Sequence, residues 1–491
     1  MKKTIVLLLV FLMVMTSAFA SAQKEVAPVV KEEVGTADKP TVLKVVLKDL
    51  SYYVDMLDQM EEKLALDGIF VSFEPVELQE GSYSDAMGLM LQSGDIPDFM
   101  YFQGGDYPFA ITQGILEDFT PYVANSTYIK DQLGAHSMAR LENYPYLLWV
   151  SSPGNKVPVV RTDWIETMTT APALMANPTT DNYYAFLKEL QTSYTHDSAI
   201  TCQGLKDGLY EMDMLFGQAF GTNQSWIKDA SGDFIYKNVA DSELAKLEFY
   251  AKLYKEGLLD NEYLNKKYKD KEQVFYKGNT GLIMATQNTV VAKYEKKSIA
   301  ANGPTAELTV LPPAMGVDGS SYFRAIPVDK ETRGWAMSKY SNNKQLVFDI
   351  FDWLAGPKGT MLDQFGYEGI DYELTSDNKV SVLTSSWWPR FHETLKSFNP
   401  ELDPSGAVPL FAYPIMKVAT TMIEDHTILD NAFMIPEDYI TDWDAATQIY
   451  NEFTADFVSG KKTRADWASY VKEWYAMGGS SVTEYANSEL N

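Results

Sequence analysis

Short apolar runs that alternate with helical patterns constrain the fold of this chain more than any other feature. Residues 42–47 and 69–76 predict two strands, and the helix expected between them ends at Asp67-Gly68. Apolar side chains recur at helical spacing in 82–91, which predicts a helix that Gly94 ends. A third strand follows in the stretch SGDIPDFMYFQGGDY. Strands and helices alternating at this spacing indicate βαβ units and a parallel sheet covered on both faces.

The same alternation returns later and predicts a second sheet. Residues 158–161 and 281–285 are typical of short buried strands, and the helices predicted between them cover 181–190, capped by Thr180, and 242–255. A chain of 491 residues is too long for one core. We therefore expect an α/β protein with two doubly wound sheets, divided into two or three lobes.

The predicted lobes depend on where the chain passes from one sheet to the other. Residues 308–313 (LTVLPP), followed by 334–338, predict a return to the first sheet. A helix begins at Asn343 and is stopped by Gly356-Pro357, and a tryptophan-rich helix is expected at 467–475. The first lobe then combines 41–155 with 308–345, and the second combines 156–307 with 346–491.

The N-terminus predicts a secretory signal peptide over residues 1–22. Two lysines precede an apolar run, and two overlapping A-x-A sites follow it, so cleavage is expected near Ala20 or Ala22. The run is too short to span about 30 Å of hydrocarbon. Residues 23–40 are rich in Lys, Glu, Val, Ala and Pro, which predicts a flexible linker.

The chain contains one cysteine, Cys202, so no intrachain disulfide can form. We expect Cys202 to be a small buried residue without chemistry. The residue after the predicted cleavage is Ser21 or Gln23, so there is no lipobox cysteine to carry a lipid anchor. The mature protein is expected to be periplasmic or secreted.

The charge balance and the motifs argue against several classes of function. The chain has 67 acidic and 41 basic residues, a net charge of −26, and such a field repels nucleic acid and anionic lipid surfaces. No nucleotide-binding loop, nucleophile elbow or zinc-protease motif occurs, and the four histidines are too scattered to predict a zinc site. We expect no cofactor, no metal and no catalytic residue. A glycosidase-type carboxylate pair stays open as an alternative, although so many acids make close pairs inevitable.

Aromatic residues give the strongest indication of a ligand. They make up 13% of the chain, with 10 Trp and 30 Tyr. A flat ring stacks on the apolar face of a pyranose while neighbouring amides and carboxylates bind its hydroxyls. Trp387 and Trp388, in the stretch SSWWPR, are the sharpest candidates, because the adjacent proline disfavours a regular helix and predicts a loop. The alternative that both rings belong to the core stays open.

Polar and aromatic residues also follow the ends of predicted strands, where ligands bind in open α/β sheets. Gly104 lets the backbone turn close to a ligand, and Asp106 offers acceptor oxygens. Arg324 and Arg333 would bind a carboxylate if the solute were a uronic acid, with a surface salt bridge as the alternative. For the remaining candidates the alternative is a solvated turn, or the core for a tryptophan. The predicted ligand-binding residues are Tyr52, Tyr53, Gln103, Gly104, Asp106, Gln287, Asn288, Trp335, Trp387 and Trp388.

Several segments, taken in order, resemble the extracellular solute-binding proteins of bacterial ABC importers (family 1), in the large oligosaccharide-binding branch that includes alginate-oligosaccharide binding proteins. These segments are LQSGDIPD at 91–98, ILEDFTPY at 115–122, VRTDW at 160–164, FDIFDWL at 348–354 and GYEG at 366–369. The resemblance implies the two-lobed periplasmic-binding-protein fold, in which two doubly wound sheets are joined by a hinge. It also implies a carbohydrate ligand held in the cleft at the interface of the two lobes. It also implies delivery to the transmembrane subunits of an ABC permease by a monomer that is not an enzyme.

One segment departs from the pattern of that branch. Close relatives often carry a calcium loop rich in Asp, Asn and Gly after the helix that corresponds to 182–190. Residues 191–198 read QTSYTHDS and lack the alternating oxygen ligands of such a loop, so we expect no calcium there. Three rival functions stay open: the same fold binding a peptide or other small solute, a polysaccharide-degrading enzyme, and an adhesive surface protein.

Overall fold

The structure is a computed structural model that describes residues 35–47, 54–78, 83–103, 107–133, 137–138, 141–142, 145–148, 155–286, 289–325, 333–376, 380–383, 414–433 and 435–490. The predicted signal peptide lies outside these ranges, as does most of the predicted linker. The described end of the linker contains a turn in which Thr36 and Lys39 exchange backbone hydrogen bonds of 2.9 and 3.0 Å. Regular structure therefore begins slightly before Thr41.

The strands of the described residues form two larger sheets and two short antiparallel ribbons. They are β1 Thr41–Val46, β2 Val71–Pro75, β3 Phe99–Gln103, β4 Lys156–Arg161, β5 Ser198–Ile200, β6 Trp226–Lys228, β7 Phe234–Tyr236, β8 Thr280–Thr286, β9 Leu308–Val310, β10 Arg333–Met337, β11 Tyr372–Leu374 and β12 Val380–Val382.

Helices account for most of the remaining regular structure. In the first part of the chain they are α1 Val54–Ala65, α2 Tyr83–Ser93, α3 Tyr107–Thr112, α4 Thr120–Ala124, α5 Ile129–Gln132, α6 Thr162–Ile165, α7 Ala171–Ala176, α8 Thr180–Ser193, α9 Gly204–Asp207 and α10 Tyr210–Phe216. The later helices are α11 Asp241–Lys255, α12 Tyr268–Tyr276, α13 Thr289–Asn302, α14 Lys344–Ala355, α15 Pro357–Phe365, α16 Pro414–Asp425, α17 Glu437–Val458, α18 Trp467–Trp474 and α19 Ser480–Leu490.

The first sheet has the strand order β10-β3-β1-β2. β1 runs parallel to β2 and β3, as the sequence predicts, and β10 runs antiparallel to β3 with Arg333 opposite Gln103. Successive residues of a strand point to opposite faces, so Val45 packs with α1 and α14 on one face and Val46 packs with α2 on the other. Helices on both faces confirm the doubly wound arrangement of this sheet.

The second sheet has the strand order β5-β8-β4-β9 and is mixed rather than parallel. β5 and β8 are parallel, but β4 runs antiparallel to both β8 and β9. The expectation of a parallel sheet is wrong for β4. Lys156, the first residue of β4, lies opposite Thr286, the last residue of β8. Because β4 starts at the edge where β8 ends, it has to run in the opposite direction.

The predicted lobe boundaries differ from the structure at two elements. β9 pairs with β4, so it belongs to the second sheet rather than the first. α14 lies on the first sheet rather than in the second lobe, because its apolar face, including Val347 and Phe351, packs in one buried cluster with Phe99 of β3. We use "first lobe" for the described residues of 35–148 and 333–383, and "second lobe" for those of 155–325 and 414–490.

Local helix signals largely agree with the predictions. Gly94 ends α2 with a φ of +82°, which a residue with a side chain rarely adopts. The cap of α8 is Thr179 rather than Thr180, because the Thr179 hydroxyl accepts a hydrogen bond from the Asn182 backbone N–H at 3.2 Å. Among the helices that the structure describes, none is both long and apolar enough to cross a membrane.

Candidate functional site

The chain passes between the lobes at three places in the described sequence: after Leu148, after Ala325 and after Leu383. The first passage leaves from a pair of backbone hydrogen bonds between Leu148 and Trp335 (2.8 and 3.1 Å), beside the end of β3. It arrives at Asn155, directly before β4 and beside the end of β8. The strand-end edges of the two sheets are thus joined by a short connection.

The second passage joins the same two edges. It leaves the second lobe at Ala325 and enters β10 at Arg333, opposite Gln103. Seven or eight residue steps reach at most about 25–30 Å even when fully extended. Because both short connections run between the same edges, those edges are held within this distance of each other, and we use "crevice" for the space between them.

The predicted ligand-binding residues lie mostly outside the described residues. Gln103 is the last residue of β3, Gly104 comes directly after it, and Asp106 follows Gly105. Gln287 and Asn288 come directly after β8, as predicted from the strand end. Four more predicted residues lie outside the described ranges: Tyr52 and Tyr53, before α1, and Trp387 and Trp388, within the third passage. Their assignment to the ligand site stays a prediction.

Trp335 is the one predicted ligand-binding side chain that the structure describes, and it lies in the core. It is 3% exposed and packs against Phe99, Tyr101 and Phe351, with ring centroids 5.5–5.7 Å apart. The reason is its place on the face of β10 that α14 covers. In this arrangement Trp335 supports the first sheet and presents no ring to a solute.

A pair that sequence reasoning left undecided forms part of the second-lobe edge. The guanidinium carbon of Arg324 lies 4.5 Å from the ring centroid of Tyr210, the first residue of α10. The Arg324 backbone N–H donates to Met214 at 3.1 Å, and its carbonyl accepts from the Asn155 side chain at 3.4 Å. These bonds hold Arg324 beside both short connections, so the Arg324–Tyr210 pair lies at the edge of the crevice.

Glu211, the residue after Tyr210, lies in a buried cluster of opposite charges. The ammonium nitrogens of Lys156 and Lys271 lie 2.6 and 2.5 Å from the same oxygen of Glu211, the second residue of α10. Lys271 also donates to the Met284 carbonyl at 2.9 Å, and the backbone N–H of Gln203 donates to the other Glu211 oxygen at 3.3 Å. Burial raises the pKa of Glu211, but the two lysines outweigh burial and hold it below its ordinary value.

A second buried cluster surrounds Lys237. Lys246 pairs with Asp213 at 2.7 Å and with Glu243 at 2.9 Å. Asp430 accepts from the backbone N–H of Ser225 at 2.7 Å and from its hydroxyl at 2.5 Å. Lys237 itself is 3% exposed, and its ammonium nitrogen has no hydrogen-bond partner among the described residues. Burial, together with the nearby Arg324 charge, lowers the pKa of Lys237 to about 7.

Sequence reasoning missed these clusters because their members are far apart along the chain. Lys156 and Glu211, for example, are 55 residues apart. A single cation in an acidic chain carries no local signal of its partner. The prediction for Cys202 is confirmed in part: it is 1% exposed, and burial raises the pKa of its thiol well above the ordinary value.

Two other places do not form part of this site. A cavity of about 270 Å³ lies at the opposite edge of the first sheet, beside Glu117 and Lys339, where β10 ends. The segment 191–198 continues α8 and then turns into β5, and Asp197 accepts a hydrogen bond from the side chain of Asn279. No group of three or more candidate ligand side chains that could hold a metal occurs among the described residues. The absence of calcium stays a prediction.

Comparisons with known proteins agree with this architecture. Residues 67–361 match the profile of a family described as bacterial extracellular solute-binding protein. An extracellular solute-binding protein from Bifidobacterium longum subsp. infantis is similar with a TM-score of 0.62 and 15% identity, over 92% of this chain and 98% of that one. The sugar-binding protein MalE from Xanthomonas citri gives a TM-score of 0.59 at 13% identity, over 91% of this chain and 98% of that one.

A third similar structure is the alginate-binding protein AlgQ2 without calcium ion, with a TM-score of 0.55 and 17% identity, over 93% of this chain and 99% of that one. No curated protein matches the chain. At these identities the solved structures establish the two-lobed fold.

Proposed function

This chain belongs to the bacterial extracellular solute-binding protein family, and from this premise we propose that it is the substrate-binding component of an ABC transporter. It captures a carbohydrate, an oligosaccharide, in the crevice between its lobes and delivers it to the transmembrane subunits of the permease. The observation that carries the proposal is the pair of short connections that join the strand-end edges of two sheets, each with its own core.

The physical mechanism is closure about these connections. Each lobe has a separate buried core, so the lobes can move as bodies while the few residues of the connections change their backbone angles. A solute stabilises the closed state only if it contacts both lobes, since only then does it bind the closed state more tightly than the open one. No covalent step takes place.

A carbohydrate is preferred over a peptide because of the aromatic content and the strand-end residues. Rings such as those of Trp387 and Trp388 would stack on pyranose faces, while Gln103 and Asp106 would bind hydroxyls. Two of the similar structures are named for sugar and alginate binding. The same proposal includes a monomer, export by the signal peptide, and a periplasmic or secreted location.

The test is a ligand panel of neutral and acidic oligosaccharides and of short peptides, read by thermal unfolding. A ligand at 100 times its Kd stabilises the protein by about 2.7 kcal/mol. For a lobe of about 150–250 residues, this raises the Tm by about 5–11 °C. Hits are confirmed by calorimetry, and small-angle scattering should show a smaller radius of gyration on binding.

Two controls separate the rival functions. Chromatography of the saccharides after long incubation should recover them intact, whereas cleavage would indicate an enzyme. A panel in which peptides alone raise the Tm would replace the carbohydrate with a peptide on the same fold. A panel in which neither class raises the Tm would contradict capture of either solute.

A further inference from the structure

Arg324 is a partly buried arginine with no acidic partner. Among the described residues, no carboxylate lies within 4.0 Å of its guanidinium nitrogens, and its buried Nε has no hydrogen-bond partner. In a chain with 67 acidic and 41 basic residues, an arginine can be paired easily. The alternative of a surface salt bridge therefore does not account for Arg324. A guanidinium left in this state keeps its fork of donors available for a carboxylate or a similar anion.

The acidic side chains nearby are already used by other donors. Asp213 pairs with Lys246 and also accepts a hydrogen bond from the Tyr250 hydroxyl at 3.1 Å. Asp430 is held by the backbone and hydroxyl of Ser225. These carboxylates act on Arg324 through their fields but do not satisfy its donors. Burial lowers the pKa of Arg324, but the interactions with Tyr210, Asp213, Tyr236 and Asp430 outweigh burial and raise it above its ordinary value.

Basic side chains outnumber acidic ones around the first turn of α10. The two adjacent clusters contain more basic than acidic side chains, although the whole chain has a strong excess of acid. Like the Nε of Arg324, the buried ammonium nitrogen of Lys237 has no hydrogen-bond partner among the described residues. The basic members are Lys156, Lys237, Lys246, Lys271 and Arg324, and the acidic members are Glu211, Asp213, Glu243 and Asp430.

The position of Arg324 makes its guanidinium available to a solute. Arg324 is followed by the second short connection, and its carbonyl is bonded to Asn155 at the end of the first connection. The ring of Tyr210 lies under the guanidinium, which fixes the plane of its donors. A planar donor group held over an aromatic ring beside the crevice is suited to bidentate binding of an anion.

We infer that Arg324, supported by Tyr210, forms an anion-binding subsite in the second lobe, and that the transported solute is an acidic saccharide carrying a carboxylate or a sulfate. This inference rests on the proposed function and specifies its substrate class. Arg324 contacts the anion directly. Tyr210 is a positioning residue, because it holds the guanidinium plane.

The experiment compares saccharides that differ only in charge. Cello-, malto- and manno-oligosaccharides of the same length are prepared as neutral, 6-carboxylate and 6-sulfate forms, and Kd is measured by calorimetry at low and at high NaCl. The charged form of at least one backbone should bind about 10-fold or more tightly than its neutral form, and this advantage should shrink in salt. A preference for carboxylate or for sulfate identifies the anion.

Variants then assign the preference to Arg324. Arg324→Gln should weaken binding of the charged form about 10- to 100-fold and binding of the neutral form by a clearly smaller factor. Arg324→Lys should restore only part of the loss, since it keeps charge without the planar fork. Tyr210→Leu should reduce the preference for the charged form, whereas a purely structural role would weaken both forms equally. The matched control is Arg464→Gln, because Arg464 is exposed and paired with Glu248 at 2.8 Å.

The outcomes separate this inference from the proposed function. Neutral forms that bind as tightly as charged ones would overturn the acidic substrate while leaving carbohydrate capture intact. A charge preference that survives Arg324→Gln would overturn the assignment to Arg324. Binding of peptides alone would overturn both. If Arg324→Gln does not fold, the paired neutral and charged saccharides on the wild-type chain still decide the substrate class.

Discussion

Removing the carboxylate of Glu211 should destabilise the second lobe strongly. Glu211 is 1% exposed and takes two lysines on one oxygen, and Lys271 is fully buried. Glu211→Gln keeps the shape but leaves Lys271 as an uncompensated buried charge, and breaking a buried pair in this way costs about 3–5 kcal/mol. Lys156 is 16% exposed and can turn towards water, which favours the lower end of that range. For a lobe of about 150–250 residues, the Tm should fall by about 6–20 °C.

The assay is urea unfolding followed by circular dichroism and tryptophan fluorescence, with the double variant Glu211→Gln/Lys271→Met. Removing both partners should cost less than the sum of the single changes, with a coupling of at least about 1 kcal/mol. The control is Glu256→Gln, whose partner Lys188 is half-exposed, and its urea midpoint should stay much closer to that of the wild type. A Glu211→Gln effect below about 1 kcal/mol, or strictly additive changes, would refute the buried-charge reasoning.

The same cluster predicts a direction for acid sensitivity. Burial raises the pKa of Glu211, and Lys271 and Lys156 outweigh burial and lower it, so the carboxyl is more acidic in the folded than in the unfolded chain. Its contribution to stability is therefore complete above the unfolded value of about 4.3 and is lost as the pH falls towards the folded value. The wild-type protein should lose this part of its stability in acid, whereas Glu211→Gln should not.

Four further outcomes are expected. Burial lowers the pKa of Lys237 to about 7, so above that pH the unfolded chain binds a proton that the folded chain lacks. The free energy of unfolding should therefore rise from about pH 7 to 10. Lys237→Met should abolish this rise. Gly334→Ala should cost about 1–3 kcal/mol in urea unfolding, because the φ of Gly334 is +148° and an added Cβ would meet the Leu148 carbonyl oxygen at 3.0 Å. Gly303 also has a positive φ, but open space surrounds the position of its Cβ, so Gly303→Ala should cost less. An equal cost for the two variants would show that the contact with Leu148 is harmless. Trp388→Ala should abolish the quenching of tryptophan fluorescence by the solute, and unchanged binding would remove Trp388 from the site. Treatment with a chelator should leave the Tm unaltered, and a clear fall would reveal a structural metal.

Local elements of the fold could be predicted from the sequence. The strand at 99–103 and the glycine that ends α2 follow from apolar spacing and from the φ that Gly94 adopts, both of which are properties of neighbouring residues. The order of strands and helices also indicated two sheets, because βαβ units need a parallel partner nearby. The ends of β3 and β8 follow from the same local patterns.

Tertiary packing alone decided how these elements are combined. The direction of β4 depends on the edge at which the chain arrives, and the place of α14 depends on which sheet its apolar face can cover. Trp335 was predicted at a ligand surface, but α14 covers it. The Arg324–Tyr210 pair joins residues more than a hundred positions apart. Local periodicity determined which segments of this protein form strands and helices, while burial and charge pairing between distant segments determined which of their side chains border the crevice.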